Sequence, residues 1–302
     1  MQRIISLIFV LISLIIIPVT RASDPDGIAF ARIIEAERGN STRLYLDNLG
    51  LTRIPPEIGN LVNLQHLELH NNALRSLPPE IGNLSNLRVL RLDSNNLTNL
   101  PTEIGNLTNL ESLYASANNL SSIPSEIGEL TQLSELHLSR NDLNGLIPEI
   151  GNLSNLESLS LDSNNLSNLP PEIGNLQNLQ FLSLDSNNLS SLPPEIGNLN
   201  NLDALYISSN TLHNLPDTLS ELRHLNFIII SGNPLTSLPE EIRTADTPTI
   251  LAYLQNRAVW HFRRMVITSV SVIGLLVGSI IALWFRYTRR PKAKRKPKEV
   301  IA

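Results

Sequence analysis

The sequence contains no cysteine, and this absence excludes several functional classes together. Disulfide frameworks, thiolate zinc sites, iron–sulfur clusters and cysteine nucleophiles all need a thiol that the chain lacks. Aromatic residues are also scarce, at 4%, whereas apolar residues make up 42%. The core must therefore be built from aliphatic side chains, which here are mostly leucine and isoleucine.

Lysine is missing from most of the chain, and all four lysines lie within residues 292–298. The net charge of -5 conceals this segregation: residues 23–264 hold 27 Asp and Glu against 13 Arg, whereas 8 Lys and Arg and one Glu follow Phe285. Phosphate binding needs clustered basic side chains. The acidic body is therefore poorly suited to nucleic acid, which we do not expect as a partner.

Residues 1–22 have the layout of a secretory signal peptide. Arg3 gives a short positive start, residues 4–17 form an apolar run, and Ala22 precedes a plausible cleavage site before Ser23. A retained N-terminal anchor is the alternative, but the apolar run is short for a membrane span.

Residues 265–285 contain no charged residue, and 21 helical residues reach about 30 Å, the thickness of one hydrocarbon core. Aromatic residues typical of membrane interfaces precede this segment at Trp260 and Phe262 and close it at Trp284 and Tyr287. We predict a transmembrane helix, followed by a basic cytoplasmic tail over residues 286–302. The signal peptide agrees with this orientation, which puts the preceding residues outside the cytoplasm.

Small residues recur at helical spacing within this predicted span, at Gly274, Gly278 and Ala282. Such a stripe lets two helix backbones approach closely in lipid. We therefore predict weak homodimerisation. The alternative is that glycine is simply common in membrane helices.

The middle of the chain is a repeat of 23 residues, marked by a proline. The prolines stand at Pro55, Pro78, Pro101, Pro124, Pro170, Pro193, Pro216 and Pro239. In the one gap, Ile147 takes the position and the proline moves to Pro148. A second phrase, LxxLxLxxNxL, alternates with the proline phrase. Together they resemble the leucine-rich repeat, over about residues 41–243 and nine turns.

The physical reading of these phrases agrees with the resemblance. LxL is a short strand whose leucines point to one side, and stacked turns bury those leucines in a continuous core. Proline followed by glutamate favours a helix start on the opposite side of each turn. We predict an α/β solenoid, an arc with a parallel concave β-sheet, plus the one C-terminal transmembrane helix.

An asparagine holds one register in eight successive turns. A buried amide must be hydrogen-bonded, so we expect each side chain to bond loop backbone in its own and the next turn, as a structural ladder with no catalytic role. The ladder comprises Asn72, Asn95, Asn118, Asn141, Asn164, Asn187, Asn210 and Asn233.

Both ends of the repeat have predicted caps. Residues 23–40 hold a short amphipathic helix over 28–37, and residues 244–264 hold a second helix together with the juxtamembrane segment. Thr247 and Pro248 are expected to supply the capping hydroxyl and the first helical residue of the second helix. These cysteine-free caps resemble those of bacterial, proline-containing, Ras-group-like repeat proteins, which implies a bacterial source.

The most polar part of the predicted sheet carries His66, Glu68 and His70 on one side of a strand. Register places His70 between Asp47 and Asp93 on the neighbouring turns. Such a group could hold a divalent metal. The alternative, a solvated polar face, is the one we favour, so we expect no metal and no cofactor.

The outward positions of the sheet differ at every turn while the scaffold hardly changes, as a binding face requires. Drift at positions that packing ignores would give the same pattern. The candidate ligand-binding residues on this concave face are Tyr45, His66, Glu68, His70, Arg91, Asp93, Tyr114, His137, Phe181, Tyr206 and Phe227.

The sequence therefore predicts a non-catalytic single-pass protein of the cell membrane. Its extracytoplasmic repeat domain is expected to bind a protein or peptide on the concave face, as a receptor-like or adhesin-like module. The alternative is a structural surface scaffold without a specific ligand.

Overall fold

The computed structural model describes residues 24–263 and 279–280. The chain forms one compact unit up to Gln255 and a second from Asn256 onward. The predicted signal peptide, the basic tail, and Gly274, Gly278 and Ala282 lie outside the described residues. No helix within those residues is long and apolar enough to cross a membrane; the predicted span falls almost wholly beyond them.

The repeat folds into one parallel sheet of nine strands, whose spatial order follows the chain. This confirms the predicted solenoid and its parallel sheet. The strands are β1 Arg43–Tyr45, β2 His66–Glu68, β3 Val89–Arg91, β4 Ser112–Tyr114, β5 Glu135–His137, β6 Ser158–Ser160, β7 Phe181–Ser183, β8 Ala204–Tyr206 and β9 Phe227–Ile229. Residues 23 apart pair in register, as Leu44 does with Leu67 and Leu67 with Leu90.

In the first eight turns, the side opposite the sheet is a short 3-10 helix of five residues. These helices are Pro56–Asn60, Pro79–Asn83, Thr102–Asn106, Ser125–Glu129, Pro148–Asn152, Pro171–Asn175, Pro194–Asn198 and Asp217–Glu221. The periodic prolines precede them as extended N-cap residues, as at Pro55 with φ -62° and ψ 143°. The proline that directly precedes a glutamate, as Pro56 does, is the first helical residue, as the phrase predicts.

Pro148 shows the difference between the two proline positions. It is the first residue of its 3-10 helix, like Pro56 in the first turn. Ile147 takes the N-cap position in the same extended conformation, and it packs against the core. This turn has therefore lost the first proline of the pair and kept the second.

Glycine allows neighbouring turns to stack closely on the 3-10 side. A Cβ added to Gly82 would lie only 2.6 Å from the carbonyl oxygen of Glu103 in the next turn. Real Cβ atoms do not approach a carbonyl that closely, so the glycine in the phrase EIGNL is required by packing.

Aliphatic residues fill the space between the sheet and the 3-10 helices. The central residue of each strand is buried, and so is the residue two positions after it, such as Leu69 after Leu67 and Ile230 after Ile228. Each fully buried leucine contributes about 1.5–3 kcal/mol relative to an exposed one. Since one turn alone leaves these side chains uncovered, the turns stabilise one another.

The eight asparagines form a hydrogen-bonded ladder along the buried edge of the turns. Asn141 accepts the Leu120 N–H at 3.0 Å, and its amide donates to the carbonyls of Ala115 at 3.0 Å and Leu138 at 2.9 Å. Leu120 and Ala115 lie in the preceding turn. The expectation that these side chains would bond the next turn is therefore wrong in direction, because the amide reaches back.

Helices cover both ends of the repeat. Helix α1, Pro25–Arg38, buries Ala29, Ile33 and Ala36 against the first turn. Helix α2, Glu240–Arg243, is followed by helix α3 over residues 247–263. The N-cap of α3 is Asp246, whose carboxylate accepts the Thr249 N–H at 3.0 Å. The Thr247 hydroxyl does not cap this helix, contrary to expectation.

Candidate ligand-binding face

The first and third residues of every strand point away from the core, because only the central residue is turned inward. The residue two positions after each strand lies on the same side, so each turn contributes three residues, which form three columns across the sheet. We keep the name concave face for these three columns of residues. All eleven candidate residues lie on it, in the predicted register.

Charged residues in the first turns of the concave face contact one another. The Nδ1 atom of His70 lies 3.2 Å from Glu68 Oε2, and its Nε2 atom lies 3.8 Å from Asp47 Oδ2. Arg91 also approaches the same Glu68 oxygen, at 3.9 Å. His66 is half-buried beside them.

Asp93 follows β3 in register with His70, as predicted, but no ion pair joins these two side chains among the described residues. Its Oδ1 atom accepts the Ser116 N–H of the next turn at 3.0 Å, so backbone occupies this carboxylate. No group of three His, Asp or Glu side chains within residues 24–263 and 279–280 is placed to hold a metal ion.

Three side chains from successive strands stack in the middle of the N-terminal half. The guanidinium carbon of Arg91 lies 4.6 Å from the ring centroid of Tyr114. The His137 ring stacks on the same Tyr114 ring, with 4.9 Å between the ring centroids and 19° between the ring planes. The Tyr114 hydroxyl donates a hydrogen bond to Glu135. Burial and this carboxylate raise the pKa of the Tyr114 hydroxyl. The three side chains and Glu135 therefore form one connected group on the concave face.

The C-terminal half of the concave face is apolar and aromatic. The Phe181 and Tyr206 rings lie 5.3 Å apart on adjacent strands. Phe227 and Ile229, on the last strand, are 56% and 42% exposed. Tyr45, on the first strand, is 52% exposed at the opposite end. Large exposed apolar side chains thus mark both ends of the face.

Two carboxylates next to this apolar half were not among the candidates. Asp162 accepts hydrogen bonds from the Ser183 hydroxyl and from the Asp185 N–H. Asp185 accepts the Ser208 N–H at 2.5 Å. Burial, together with the charge of Asp162, raises the pKa of the Asp185 carboxyl. Both residues follow their strands by two positions, so the alternation that predicts the strand faces could have found them.

An open groove of about 410 Å³ lies at the starting ends of strands β6 to β9. It is lined by amides, carboxylates and one imidazole, from Glu157, Asn178, Gln180, Asn201, Asp203, His224 and Asn226. Several of these side chains bond the preceding turn, as Asn178 does with the Ser154 carbonyl at 2.8 Å. The lining is therefore partly a second series of asparagines, which is exposed and was not predicted from the sequence.

The geometry defines a solenoid with a parallel sheet on one side, and the sequence comparison gives its family. Residues 43–142, 79–170 and 141–245 match the family model described as a leucine-rich repeat region. The chain belongs to the leucine-rich-repeat family. No curated protein sequence matches it at a significant level.

Two solved structures with TM-scores above 0.5 agree with this assignment. A leucine-rich-repeat protein of Leptospira interrogans is 36% identical with a TM-score of 0.57, over 66% of this chain and 57% of that one. A TDR receptor is 29% identical with a TM-score of 0.55, over 66% and 41% of the two chains. The repeat ectodomain of the Arabidopsis thaliana receptor kinase GASSHO1/SCHENGEN3, in complex with CASPARIAN STRIP INTEGRITY FACTOR 2, is 27% identical with a TM-score of 0.44, over 64% and 36%. The chain thus covers less than two thirds of each of these proteins.

Proposed function

We propose that this protein is a single-pass membrane protein whose extracytoplasmic repeat domain binds a protein or peptide on the concave face. Leucine-rich-repeat domains typically mediate protein binding, and one similar structure is a receptor. A non-catalytic receptor-like or adhesin-like module fits both facts.

One observation carries the binding role: large apolar side chains are exposed on the sheet where the scaffold does not need them. Phe227 and Ile229 belong to a strand whose buried residue is Ile228. Aromatic and large aliphatic side chains in such positions are the usual anchors of protein interfaces. With Phe181 and Tyr206 they form a continuous apolar area, and the Arg91–Tyr114–His137 stack supplies a second anchor area.

Ligand capture from surface and secreted proteins tests this role. We expect the double variant Tyr114→Ala, Tyr206→Ala to fold normally and to weaken capture at least about tenfold. The control is Val62→Ala, which truncates an exposed apolar side chain outside the sheet. Equal loss of binding in the control variant, or full binding by the double variant, would count against the concave face.

The membrane topology is a separate part of the proposal. Trp260 and Phe262 are exposed in the described end of α3, directly before the apolar segment 265–285. Such aromatic side chains are typical of the membrane–water interface. Protease added to intact cells should remove the repeat domain and leave the basic tail protected. A protected repeat domain with a degraded tail would reverse the orientation.

The proposed homodimer depends on the small residues of the apolar segment. Crosslinking of the full chain in membranes should detect a dimer that Gly274→Ile and Gly278→Ile weaken, because a larger side chain separates the helix backbones. Ala282→Gly is the matched control, since it keeps the residue small. Equal crosslinking in all forms would make the protein a monomer.

A further inference from the structure

The chain contains one Asn-Gly pair, Asn144 and Gly145, in the loop between strand β5 and the 3-10 helix Pro148–Asn152. Asparagine is chemically labile because the backbone nitrogen of the following residue can attack the carbon of its side-chain amide. The attack needs an amide and an N–H group that the fold leaves unbonded. Glycine in second place favours it, since no Cβ shields the nitrogen. Whether a given asparagine reacts therefore depends on what the fold does with these two groups.

The fold occupies both groups along the asparagine ladder. The Asn141 amide bonds backbone of two turns, and the N–H that follows it, on Asp142, donates to the Leu120 carbonyl at 2.9 Å. The same backbone bond follows the ladder members from Asn72 to Asn210. A nitrogen whose N–H is bonded, beside an amide that is held in place, is not available to attack that amide. These ladder asparagines are therefore protected by the bonds that build the repeat.

The one Asn-Ser pair of the chain, Asn40 and Ser41, is protected in the same way. The Ser41 N–H donates to the Ala36 carbonyl at 2.9 Å, and Asn40 Oδ1 accepts a hydrogen bond from Asn63 Nδ2 at 2.8 Å. Asn40 is exposed, like Asn144. It therefore provides an internal control, an exposed asparagine before a small residue whose two reacting groups are both bonded.

Neither group is bonded at Asn144. Its side chain is exposed, and the part of the chain that the structure describes shows no hydrogen bond from its amide or from the Gly145 N–H. Gly145 lies outside the left-handed region, and an added Cβ would have no atom of another part of the chain within 4 Å. Ser122 and Asn168 hold the same position in the two adjacent turns. Packing therefore does not require a glycine here, in contrast to Gly82.

We propose that Asn144 is a modification site, where the chain deamidates spontaneously through a succinimide formed with Gly145. The Gly145 nitrogen bonds to Cγ of Asn144, the Cγ–Nδ2 bond breaks, and ammonia leaves with the proton of the Gly145 N–H. Water then opens the five-membered ring at one of its two carbonyls, which gives aspartate or isoaspartate. Water is the only co-reactant, and nothing is oxidised or reduced. Each modified chain gains one negative charge beside the 3-10 helix Pro148–Asn152.

The test follows the full chain in lipid nanodiscs during incubation in mildly alkaline buffer, with peptide mapping by tandem mass spectrometry. We expect Asn144 to gain the mass difference between an amide and an acid, while Asn40 and Asn164 keep their amides. Enzymatic methylation of isoaspartate should label the same peptide. Direct hydrolysis of the amide would give aspartate alone, so this label identifies the succinimide route.

The matched control variant is Gly145→Ala, whose Cβ has open space in the fold. The added Cβ shields the backbone nitrogen and should slow the loss of the Asn144 amide at least about tenfold. Thermal unfolding shows that the variant is folded. In urea, the unchanged protein should lose the Asn144 amide at a similar rate as when folded, whereas loss at Asn40 should accelerate because its protecting bonds are broken.

Three results would overturn the inference. An Asn144 amide that survives in the folded chain and is lost in urea would show that the fold protects this loop as well. Equal rates in the unchanged protein and in Gly145→Ala would exclude attack by the Gly145 nitrogen. Conversion to aspartate without any isoaspartate would exclude the succinimide. The experiment needs no ligand, so none of these results bears on the proposed binding function.

Discussion

The Thr247 hydroxyl accepts the backbone N–H of Ile228 at 3.0 Å. In the earlier turns, backbone N–H groups of one strand segment donate to carbonyls of the next turn, as the Ile207 N–H does to the Ile229 carbonyl. Strand β9 has no following strand, so a side-chain oxygen from the cap helix takes the place of a carbonyl. An unpaired edge strand would otherwise be free to bind another chain.

Removing this oxygen should destabilise the end of the repeat. Thr247→Val keeps the shape of the side chain but leaves the buried Ile228 N–H unpaired, at a cost of about 1–3 kcal/mol. Thr247→Ser should retain most of the stability. Urea unfolding followed by circular dichroism measures the difference, with the exposed Thr244→Val as control. If Thr247→Val and Thr244→Val unfold at the same urea concentration, the hydroxyl does not have this role.

The asparagine ladder predicts a contrast between buried and exposed members. Asn141→Ala leaves the Leu120 N–H and two carbonyls without their partner, and should cost about 1–3 kcal/mol of unfolding free energy. Asn155→Ala breaks one exposed bond, to the Thr131 carbonyl, and should cost clearly less because water replaces it. The same unfolding assay compares the two variants, and equal costs would contradict the buried ladder.

Two glycines should respond oppositely to alanine. At Gly151 an added Cβ would lie 2.5 Å from the Glu172 carbonyl oxygen, so Gly151→Ala must push two turns apart and lower the melting temperature. A Cβ added to Gly145 would have no atom of another part of the chain within 4 Å. Gly145→Ala should therefore leave the stability unchanged or raise it by about 0.4–1 kcal/mol. Differential scanning calorimetry distinguishes them; a larger loss at Gly145 would refute the packing argument.

The Asp185 carboxyl makes stability depend on pH. Its pKa in the folded protein is raised above the ordinary 3.8, first by burial. The folded state therefore holds the proton more tightly, and this favourable contribution is present below pH 3.8 and lost as the pH rises through the raised value. Asp185→Asn should melt higher than the unchanged protein at neutral pH, and the difference should close towards pH 3.8. If the difference in melting temperature instead grows on acidification, the pKa of Asp185 is lowered by folding and not raised.

The strand register could be predicted in full because the period of the repeat determines it. Once Leu67 and Leu90 are assigned to the core, the alternation of a strand places Glu68 and Arg91 side by side on the other face. The candidate residues of the concave face follow from the same rule. Register also places Asp93 beside His70, but it does not tell that the Asp93 carboxylate accepts the Ser116 N–H of the next turn.

Local backbone conformation was less accessible to sequence reasoning. One residue in the left-handed region precedes the ladder asparagine in each of several turns, including Ala117 with φ 55° and Arg140 with φ 56°. Neither residue type favours this conformation, unlike Gly232 at the corresponding position of the last turn. Stacking of the turns therefore imposes the conformation, and a single turn read in isolation does not reveal it.

The constant step of 23 residues between paired strand positions has a consequence for how the domain can change in length. Each turn contacts its two neighbours through nearly the same set of leucines, asparagine and glycine. The surface that one turn presents to its neighbour therefore fits almost any other turn. An in-frame exchange between two copies of the phrase would insert or remove a whole turn without a new interface. Among the contacts between neighbouring segments, only those of the end caps are unique, so the number of turns can change while the architecture of the domain stays the same.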